Sequence, residues 1–572
     1  MNNPNTVHEV SQLPHEQLKS AQSLMLNYWN NTLKFVQALK SSGFKDDQLL
    51  TQASPSVSET PGLTGYQAQT LIFNTRLRFN PAVIVMCEST ENVAQAYKQA
   101  ISLNLPIRVR SGGHDHEGEC TGTDVILLDL SRLKEFNVKK VNGDYIANIG
   151  SGYRFFQVVP KLADNNPPLT IPHGTCATVG LAGFIQGGGW GPWTRSKGMC
   201  CESLVGATVV LGNGEVIEVN AEDDIVDAND PSHKKLLWAL RGGGALSYGI
   251  VTHFKVKAFE IPDEIHRFVI NWNTNDEHAQ AFSTLELLSQ WEDVINNAST
   301  DKLVGTNLKI NAIAANSQNK PLCHPSTMYG YWQGSWQALE QFVSNHFPNS
   351  TPIHQGTDTK ANYNSALMGN WSRNSLFDVL KKQKRLGSLA NADGTPFTPD
   401  FDAPAPHKLT SKVVKGRGLT KNGKEQLIQS LTSDLINAKS SDLGLFSYVT
   451  LGAIAGPFYN EISEKEANAR VSFPYSKSQY TIQYQTWWNE SVELKEQGQN
   501  NEVYNYINRA MDWIEVSRET EIEGTKGAFI SFKDSAIPTK DYFLGSYEDL
   551  MKVKERYSHD PANHLRSRKT II

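Results

Sequence analysis

Two glycine-rich segments of the chain combine reactive side chains with a conformationally free backbone. In Arg110-Ser-Gly-Gly-His114, consecutive glycines let backbone N–H groups approach a phosphate and form an anion-binding nest. The second segment begins with Pro172-His-Gly-Thr-Cys176 and continues through many glycines to Gly191, which implies backbone packed against something flat or bulky. A nucleotide pyrophosphate and a flat ring suit these segments. Taken singly, each also fits an ordinary glycine turn or a tight crossing of the chain.

The same segments do not match other nucleotide or metal motifs. The spacing G-x-G-x-x-G of dinucleotide-binding folds is absent from both, and neither is a Walker loop. His114, His116, Glu117, Glu119 and Cys120 are metal-ligand types, but their spacing matches no standard zinc pattern. We therefore predict no metal site here.

Taken together, the motifs resemble one family. R-S-G-G-H, followed further along the chain by H-G-x-C-x-x-V-G, is similar to the berberine-bridge-enzyme-like oxidases of the vanillyl-alcohol-oxidase (PCMH-type FAD-binding) superfamily. Further matches occur in the family's order at Leu237–Gly244, Gly249–Thr252, Asn505-Tyr506 and Asp560–Asn563. The ordered set is far more specific than any of its members.

The resemblance implies an FAD held by two covalent bonds. The family's tethering histidine, which bonds to the flavin 8α-methyl, corresponds to His114, and its cysteine, which bonds to carbon 6, corresponds to Cys176. Val179 occupies the position that gates oxygen, and a valine there favours O2 as the electron acceptor. The remaining cofactor-binding residues that the resemblance implies are Arg110, Ser111, Gly112, Gly113, Gly174, Gly180, Gly183, Val251 and Asn505.

Two tyrosines are the candidate catalytic residues. Tyr506 matches the family's Asn-Tyr pair, whose tyrosine acts as the general base, although the tyrosine commonly found two residues before that Asn is replaced by Val503. A tyrosine with a pKa near ~10 is a poor base at neutral pH, so the site must stabilise the phenolate with a nearby cation or hydrogen bonds. Tyr448, where family members carry a carboxylate or another helper residue, is the second candidate.

Three polar residues, Gln483, Gln485 and His116, are candidates for binding the substrate. Strand alternation places Gln483, Gln485 and Trp487 on one face, and amides with an indole suit sugar hydroxyls and ring faces. A solvated sheet face explains the same pattern equally well. His116 stands where the family often has an aromatic residue, and it is the third candidate.

The composition is that of an ordinary globular protein and excludes some partners. The chain is 39% hydrophobic and 20% charged, with a formal net charge of −5, which gives no reason to expect nucleic acid or an anionic membrane as partner. The polar segment Met1–Glu16 lacks the apolar stretch of a secretory signal. We therefore expect a cytoplasmic protein, with secretion left open.

The pattern of elements predicts an α+β fold, with a two-part PCMH-type FAD-binding domain and an α+β substrate domain containing an antiparallel sheet. A β-α-β unit is expected where Ser89 caps a helix between two short apolar strands. Further along, the expected helices are Glu277–Asn296 and Trp336–His346, and the expected strands are Leu303–Ile313, Leu445–Ile454 and Gln479–Trp487. We divide the chain into an N-terminal extension (1–60), the FAD-binding domain (61–264), the substrate-binding domain (265–500) and a C-terminal return to the FAD domain (501–572).

These expectations predict an FAD-dependent oxidase. It would transfer hydride from an alcohol, a sugar hydroxyl or a glycosylated natural product, to flavin N5, and O2 would be reduced to H2O2. The alternative is an FAD dehydrogenase or an oxidative bond-forming enzyme of secondary metabolism, which shares the flavin motifs. A non-catalytic protein that retains the fold is disfavoured, because both tether residues and Tyr506 are present.

Overall fold

The computed structural model describes residues 15–54, 65–221, 232–274, 277, 279–297, 300–315, 322–363, 404–438, 440, 444–488 and 502–572. Within these ranges, helices accompany three main β-sheets, which confirms the predicted α+β class. None of the helices in this part of the chain combines the length and the apolar character that crossing a bilayer requires.

The strands are β1 (Leu49–Leu50), β2 (Val83–Met86), β3 (Ile107–Arg110), β4 (Ile126–Asp129), β5 (Phe136–Val141), β6 (Asp144–Gly150), β7 (Leu169–Thr170), β8 (Leu204–Val210), β9 (Val216–Asn220), β10 (Ile250–Glu260), β11 (Ile265–Trp272), β12 (Leu303–Asn311), β13 (Ile313–Ala314), β14 (Ser326–Gln333), β15 (Ile353–Asp358), β16 (His407–Val414), β17 (Thr432–Ser433), β18 (Leu445–Ala453) and β19 (Tyr480–Trp488).

The α-helices are α1 (His15–Ser41), α2 (Gly65–Gln69), α3 (Thr90–Ser102), α4 (Phe155–Ala163), α5 (Leu181–Gln186), α6 (Thr194–Lys197), α7 (Ser232–Leu240), α8 (Thr284–Asn296), α9 (Trp336–His346), α10 (Lys421–Ser430), α11 (Pro457–Asn460), α12 (Glu464–Arg470), α13 (Glu502–Glu519), α14 (Thr539–Phe543) and α15 (Tyr547–Tyr557).

The first sheet has the order β1-β2-β4-β3 and contains the predicted β-α-β unit. Ser89 caps α3, because its hydroxyl accepts a hydrogen bond from the Asn92 N–H at 3.2 Å. Strands β2 and β4 are parallel and buried along their whole length, as expected for a parallel sheet covered on both faces. The C-terminal segment reaches this sheet, where the Ile107 N–H donates to the His564 carbonyl at 2.7 Å.

The second sheet runs in the order β5-β6-β10-β8-β9, and β7 also pairs with β10. The predicted turn Asn142-Gly143 joins β5 and β6, and both of its residues have positive φ. The sheet and its helices share one large apolar core with residues that precede and follow the glycine-rich segment at 172–191. The second sheet therefore anchors that segment on a rigid base.

The third sheet is antiparallel, with the order β15-β11-β14-β12-β18-β19-β16, which confirms the antiparallel sheet predicted for the substrate domain. Its buried face packs against α8, α9, α10 and α13 through one core. The predicted helix at 277–296 begins only at Thr284. The residues before it cannot continue the helix, because Phe282 exchanges two hydrogen bonds of 2.8 Å with the Asn273 side chain.

Candidate active site

A cavity of about 400 Å³ opens where the glycine-rich segments face the third sheet. Such a volume is within the range of small-molecule sites. Residues predicted for the site that line it are Ser111, Gly112, Gly113, His114, His116, Gly174, Cys176, Val179, Gly180, Gly183, Val251, Tyr448, Gln483 and Gln485. The structure therefore brings most of the predicted cofactor and substrate residues into one chamber.

The two glycine-rich segments cross in direct backbone contact. A Cβ built on Gly112 would lie 2.4 Å from the Gly180 nitrogen, and one on Gly180 would lie 2.6 Å from the Gly112 nitrogen. Neither position therefore tolerates a side chain. Ser111 secures the crossing by donating its hydroxyl to the Ser151 carbonyl at 2.5 Å. The tight crossing considered from sequence exists, and it forms part of the cavity wall.

The His114 ring is held on two sides. Its Nε2 lies 2.6 Å from the Thr178 hydroxyl, and its face stacks on Phe73 with centroids 3.8 Å apart and an interplanar angle of 20°. Burial, together with the nearby charge of Arg154, lowers the pKa of His114 well below its usual value. The ring is therefore a neutral imidazole at neutral pH. Cys176 forms no disulfide and lines the same cavity.

His116 belongs to a pair of neutral imidazoles. Nδ1 of His407 lies 2.8 Å from the Ala405 carbonyl, so it must carry the proton, and its Nε2 accepts from Nδ1 of His116 at 2.9 Å. Burial lowers the pKa of His116 to about 4 despite the neighbouring Asp115 carboxylate. Nε2 of His116 is consequently the unprotonated nitrogen of this cavity-lining ring.

The third sheet presents a polar face to the cavity. Tyr448, Thr450 and Gly452 line it from β18, and Thr481, Gln483, Gln485 and Trp487 line it from β19. This alternation is the one predicted for the two glutamines and the tryptophan. Gln485 is engaged within the wall, because its Oε1 accepts from Trp487 Nε1 at 2.9 Å and its Nε2 donates to Thr450 at 3.0 Å. Gln485 therefore helps to hold the side chains of Thr450 and Trp487 in position.

Tyr506 and Asn505 are not at the cavity. Both lie on α13, and Tyr506 packs against the cluster that contains Leu445 and Trp488. Trp488 faces away from the cavity that Trp487 lines, since successive strand residues point to opposite faces. The helix thus places Tyr506 behind the third sheet and outside the cavity lining, so this geometry does not support its assignment as general base.

Arg110 is also outside the cavity lining. Its Nε bonds to the Asp129 carboxylate at 2.6 Å, and both side chains are buried. Another of its nitrogens holds the Gln69 carbonyl. The structure therefore gives Arg110 a place in the scaffold beneath the Gly112–Gly113 turn, where it does not reach the phosphate site predicted for it.

One segment of the C-terminal region that reaches the cavity is Phe529-Ile-Ser-Phe-Lys533. Phe529 and Phe532 have the spacing of the two tyrosines in the pattern Tyr-x-Asn-Tyr, with Ser531 at the asparagine position. The spacing of the two phenylalanines could have identified this segment as the counterpart of the family's pattern. Because both lack the tyrosine hydroxyl, Asn505-Tyr506 matched the pattern better by residue type. Because Phe532 has no titratable group, a proton acceptor must come from another element.

The cavity carries more positive than negative side chains. Its charged lysines and carboxylate, among the described residues, are Lys309, Lys533, Lys569 and Asp115. Asp115 pairs with Lys533 at 2.5 Å; burial alone would raise the pKa of this carboxyl, but the Lys533 ammonium holds it below its usual value. A positive cavity lined by crossed glycine backbones suits the flat ring and the anionic diphosphate of FAD.

Comparisons with known proteins agree with this fit. A family model described as an FAD binding domain matches residues 81–220. Berberine bridge enzyme-like 21 of Arabidopsis thaliana is 25% identical over 539 residues, which cover 92% of this chain and 89% of that protein. The structure of Physcomitrella patens BBE-like 1 superimposes with a TM-score of 0.68 at 22% identity, covering 94% of this chain and 99% of that one. A glucooligosaccharide oxidase from Acremonium strictum gives 0.69 at 18% identity, with 94% and 98% covered.

The chain has the α+β fold of the PCMH-type oxidases, and residues 81–220 match an FAD binding domain. Over most of its length the chain is similar to the berberine-bridge-enzyme-like FAD-linked oxidases, the family that its motifs resemble.

Proposed function

We propose that the chain is an oxidase of alcohols, acting on a sugar hydroxyl or a sugar-bearing natural product, with FAD joined to His114 and Cys176 and with O2 as the electron acceptor. FAD, when bound, supplies the hydride acceptor at its N5 atom. The observation that carries the proposal is that both anchor residues line one cavity, opposite a polar sheet face. The Acremonium strictum oxidase contains 6-S-cysteinyl, 8α-N1-histidyl FAD, which supports the same pair of bonds here.

The remaining predicted cofactor contacts fit this proposal. Gly112, Gly113, Gly174, Gly180 and Gly183 give the cavity a wall of bare backbone. Ser111 and Val251 line it beside them. Val179, three residues after Cys176, is half-buried at the cavity and is the residue that we expect to admit O2 to the flavin.

Tyr448 is the proton acceptor that the geometry supports best. Alcohol oxidation removes the O–H proton while hydride leaves the carbon, so a base must stand within reach of the hydroxyl. Tyr448 lines the cavity from β18, and the Lys309 ammonium lies 4.5 Å from the centroid of its ring. A cation at this distance favours the negative phenolate over the neutral phenol. Lys309 thereby supplies the stabilisation that a tyrosine base requires.

The substrate side of the cavity suits a polyhydroxy compound. Gln483 and Asn307 add amide groups to its wall, and Trp487 adds an indole face. His116 offers Nε2 as an acceptor for a substrate hydroxyl, because the bond to His407 fixes its tautomer. Structural neighbours include a chitooligosaccharide oxidase and a xylooligosaccharide oxidase in complex with xylobiose, which supports a saccharide substrate.

The test measures flavin attachment and turnover separately. Purified protein is denatured, freed of small molecules and examined by visible spectroscopy, for the wild type and for His114→Ala, Cys176→Ala and the double variant. Each single variant should keep its flavin through the other bond, and the double variant should release it. Cys120→Ser, which changes another cavity-lining cysteine outside the motif, is the matched control and should keep both bonds.

Turnover is tested with cellobiose, xylobiose and N,N′-diacetylchitobiose, by following O2 consumption and H2O2 formation. Oxidation of one of these sugars with peroxide as product supports the oxidase. Reduction of an artificial dye without O2 consumption would instead identify a dehydrogenase. If the double variant retained covalent flavin, the two anchors would be misassigned.

A further inference from the structure

We infer that Thr178 and Phe73 select Nδ1 of His114 as the atom that bonds to the flavin, so that these two residues direct the histidyl attachment. The inference rests on the proposed function, since it presupposes that His114 is an anchor. Neither residue belongs to the site predicted from sequence.

The Thr178 hydroxyl engages Nε2 of His114, and we take this hydroxyl as the acceptor of the Nε2 proton. A neutral imidazole has one N–H and one lone pair, and a partner that accepts from one nitrogen leaves the lone pair on the other. Thr178 lies 2.6 Å from Nε2, at the length of a strong hydrogen bond. When the hydroxyl oxygen accepts the Nε2 proton, the lone pair resides on Nδ1. Burial lowers the pKa of His114 and so favours the neutral ring, in which only one of the two nitrogens carries a proton.

Phe73 fixes the plane of the same ring. It stacks on the His114 face at 3.8 Å and 20°, so that the edge carrying the nitrogens cannot turn out of that plane. The backbone on both sides of this contact is also tied, because the Phe73 N–H donates to the Gly113 carbonyl at 3.0 Å and Phe73 accepts from the Ala405 N–H at 3.1 Å. Phe73 is buried and packs with Tyr448 and Trp487, which leaves it little freedom.

The attachment step balances as an oxidation. One C–H bond at the flavin 8α carbon and the Nε2–H bond of His114 break, and a C–N bond forms between that carbon and Nδ1. Two protons and two electrons leave, and O2 takes them as H2O2. Thr178 is the first group that the Nε2 proton meets as it departs, so the hydroxyl that orients the ring also lies on the proton's route.

The experiment maps flavin on peptides and needs no turnover. Wild type, Thr178→Val, Thr178→Ser, Phe73→Leu and Phe73→Tyr are harvested at fixed times after induction and digested, and mass spectrometry gives the fraction of the His114 peptide and of the Cys176 peptide that carries FAD. Thr121→Val is the control, because Thr121 is a buried threonine outside the cavity lining. Losing one hydrogen bond should slow histidyl attachment roughly tenfold in Thr178→Val.

We expect Thr178→Ser and Phe73→Tyr to restore the histidyl bond, Phe73→Leu to reduce it, and the cysteinyl bond to persist in all variants. Wild-type attachment at His114 in Thr178→Val would overturn the inference, and so would equal loss of both bonds in Thr178→Val and Thr178→Ser, which would indicate a general packing role. An absence of flavin on His114 in the wild type would instead refute the anchor assignment, and this inference would fall with it.

Discussion

The two walls of the cavity differ in how they are built. The cofactor wall consists of crossed glycine backbone, where Gly112 and Gly180 meet without room for a Cβ. The opposite wall consists of side chains from the third sheet and from the segment Phe529–Lys533. In the first wall, the close contact between the two backbones requires glycine at Gly112 and Gly180. The second consists of side chains that no close backbone contact dictates, so we expect this wall to determine the substrate.

The largest expected effect tests the wall of side chains. Tyr448→Phe removes the proposed base and should slow flavin reduction by the best sugar substrate roughly 100- to 10,000-fold in anaerobic stopped-flow measurements. Tyr506→Phe is the matched control, because Tyr506 lies behind the sheet, and it should leave the reductive rate unchanged. Equal rates for wild type and Tyr448→Phe would remove Tyr448 from the mechanism.

A scaffold residue beneath the glycine crossing should act on stability. Arg110→Met leaves the buried Asp129 carboxylate without its partner, which should lower the free energy of unfolding by about 3–5 kcal/mol in urea titrations. The folded fraction should still carry flavin at both anchors. If Arg110→Met kept its stability but lost cofactor, the residue would belong to the phosphate site after all.

Lys309 should have a smaller effect on the same chemical step as Tyr448. Lys309→Met removes the cation above the Tyr448 ring, and a cation–π contact of this kind is worth about 1–2 kcal/mol when partly desolvated. We therefore expect a roughly tenfold slower reduction of the flavin by substrate in Lys309→Met. A rate of flavin reduction in Lys309→Met equal to that of the wild type would contradict the pairing.

A further expected effect is a change in the dependence of stability on pH. Burial holds the pKa of His116 at about 4, below its value in the unfolded chain. As the pH is lowered from the unfolded value of about 6.5 to this pKa, only the unfolded chain gains the proton. The free energy of unfolding therefore decreases as the pH is lowered, by about 3 kcal/mol at most. His116→Gln should make the decline shallower in urea midpoints measured from pH 7 to pH 4. A slope equal to that of the wild type would mean that His116 titrates normally.

The sequence predicted the fold better than the catalytic residues. Short buried strands, the Ser89 cap and the Asn142-Gly143 turn are local signals, and the structure contains all three. The pairing of loops far apart in sequence followed only from the family resemblance. Thr178 and Phe73 had no local signal, since a threonine hydroxyl and a stacked ring acquire their roles from three-dimensional contact alone.

Tyr506 shows where motif matching misled. The dipeptide Asn505-Tyr506 has the residue types of the family's Asn-Tyr pair, but it lies on a helix that packs on the back of the third sheet. The segment Phe529–Lys533 does line the cavity, but its phenylalanines lack the hydroxyl that a tyrosine base would need. A motif of two residues carries too little information to overrule its context.

The central claim is that one flavin joins both glycine-rich loops. Digestion of wild-type protein under non-reducing conditions, followed by mass spectrometry of the flavin-containing fraction, tests it most directly. We predict one species in which the His114 peptide and the Cys176 peptide are linked through a single FAD. Recovery of both peptides unmodified, or of peptides that each carry a separate FAD, would contradict the account.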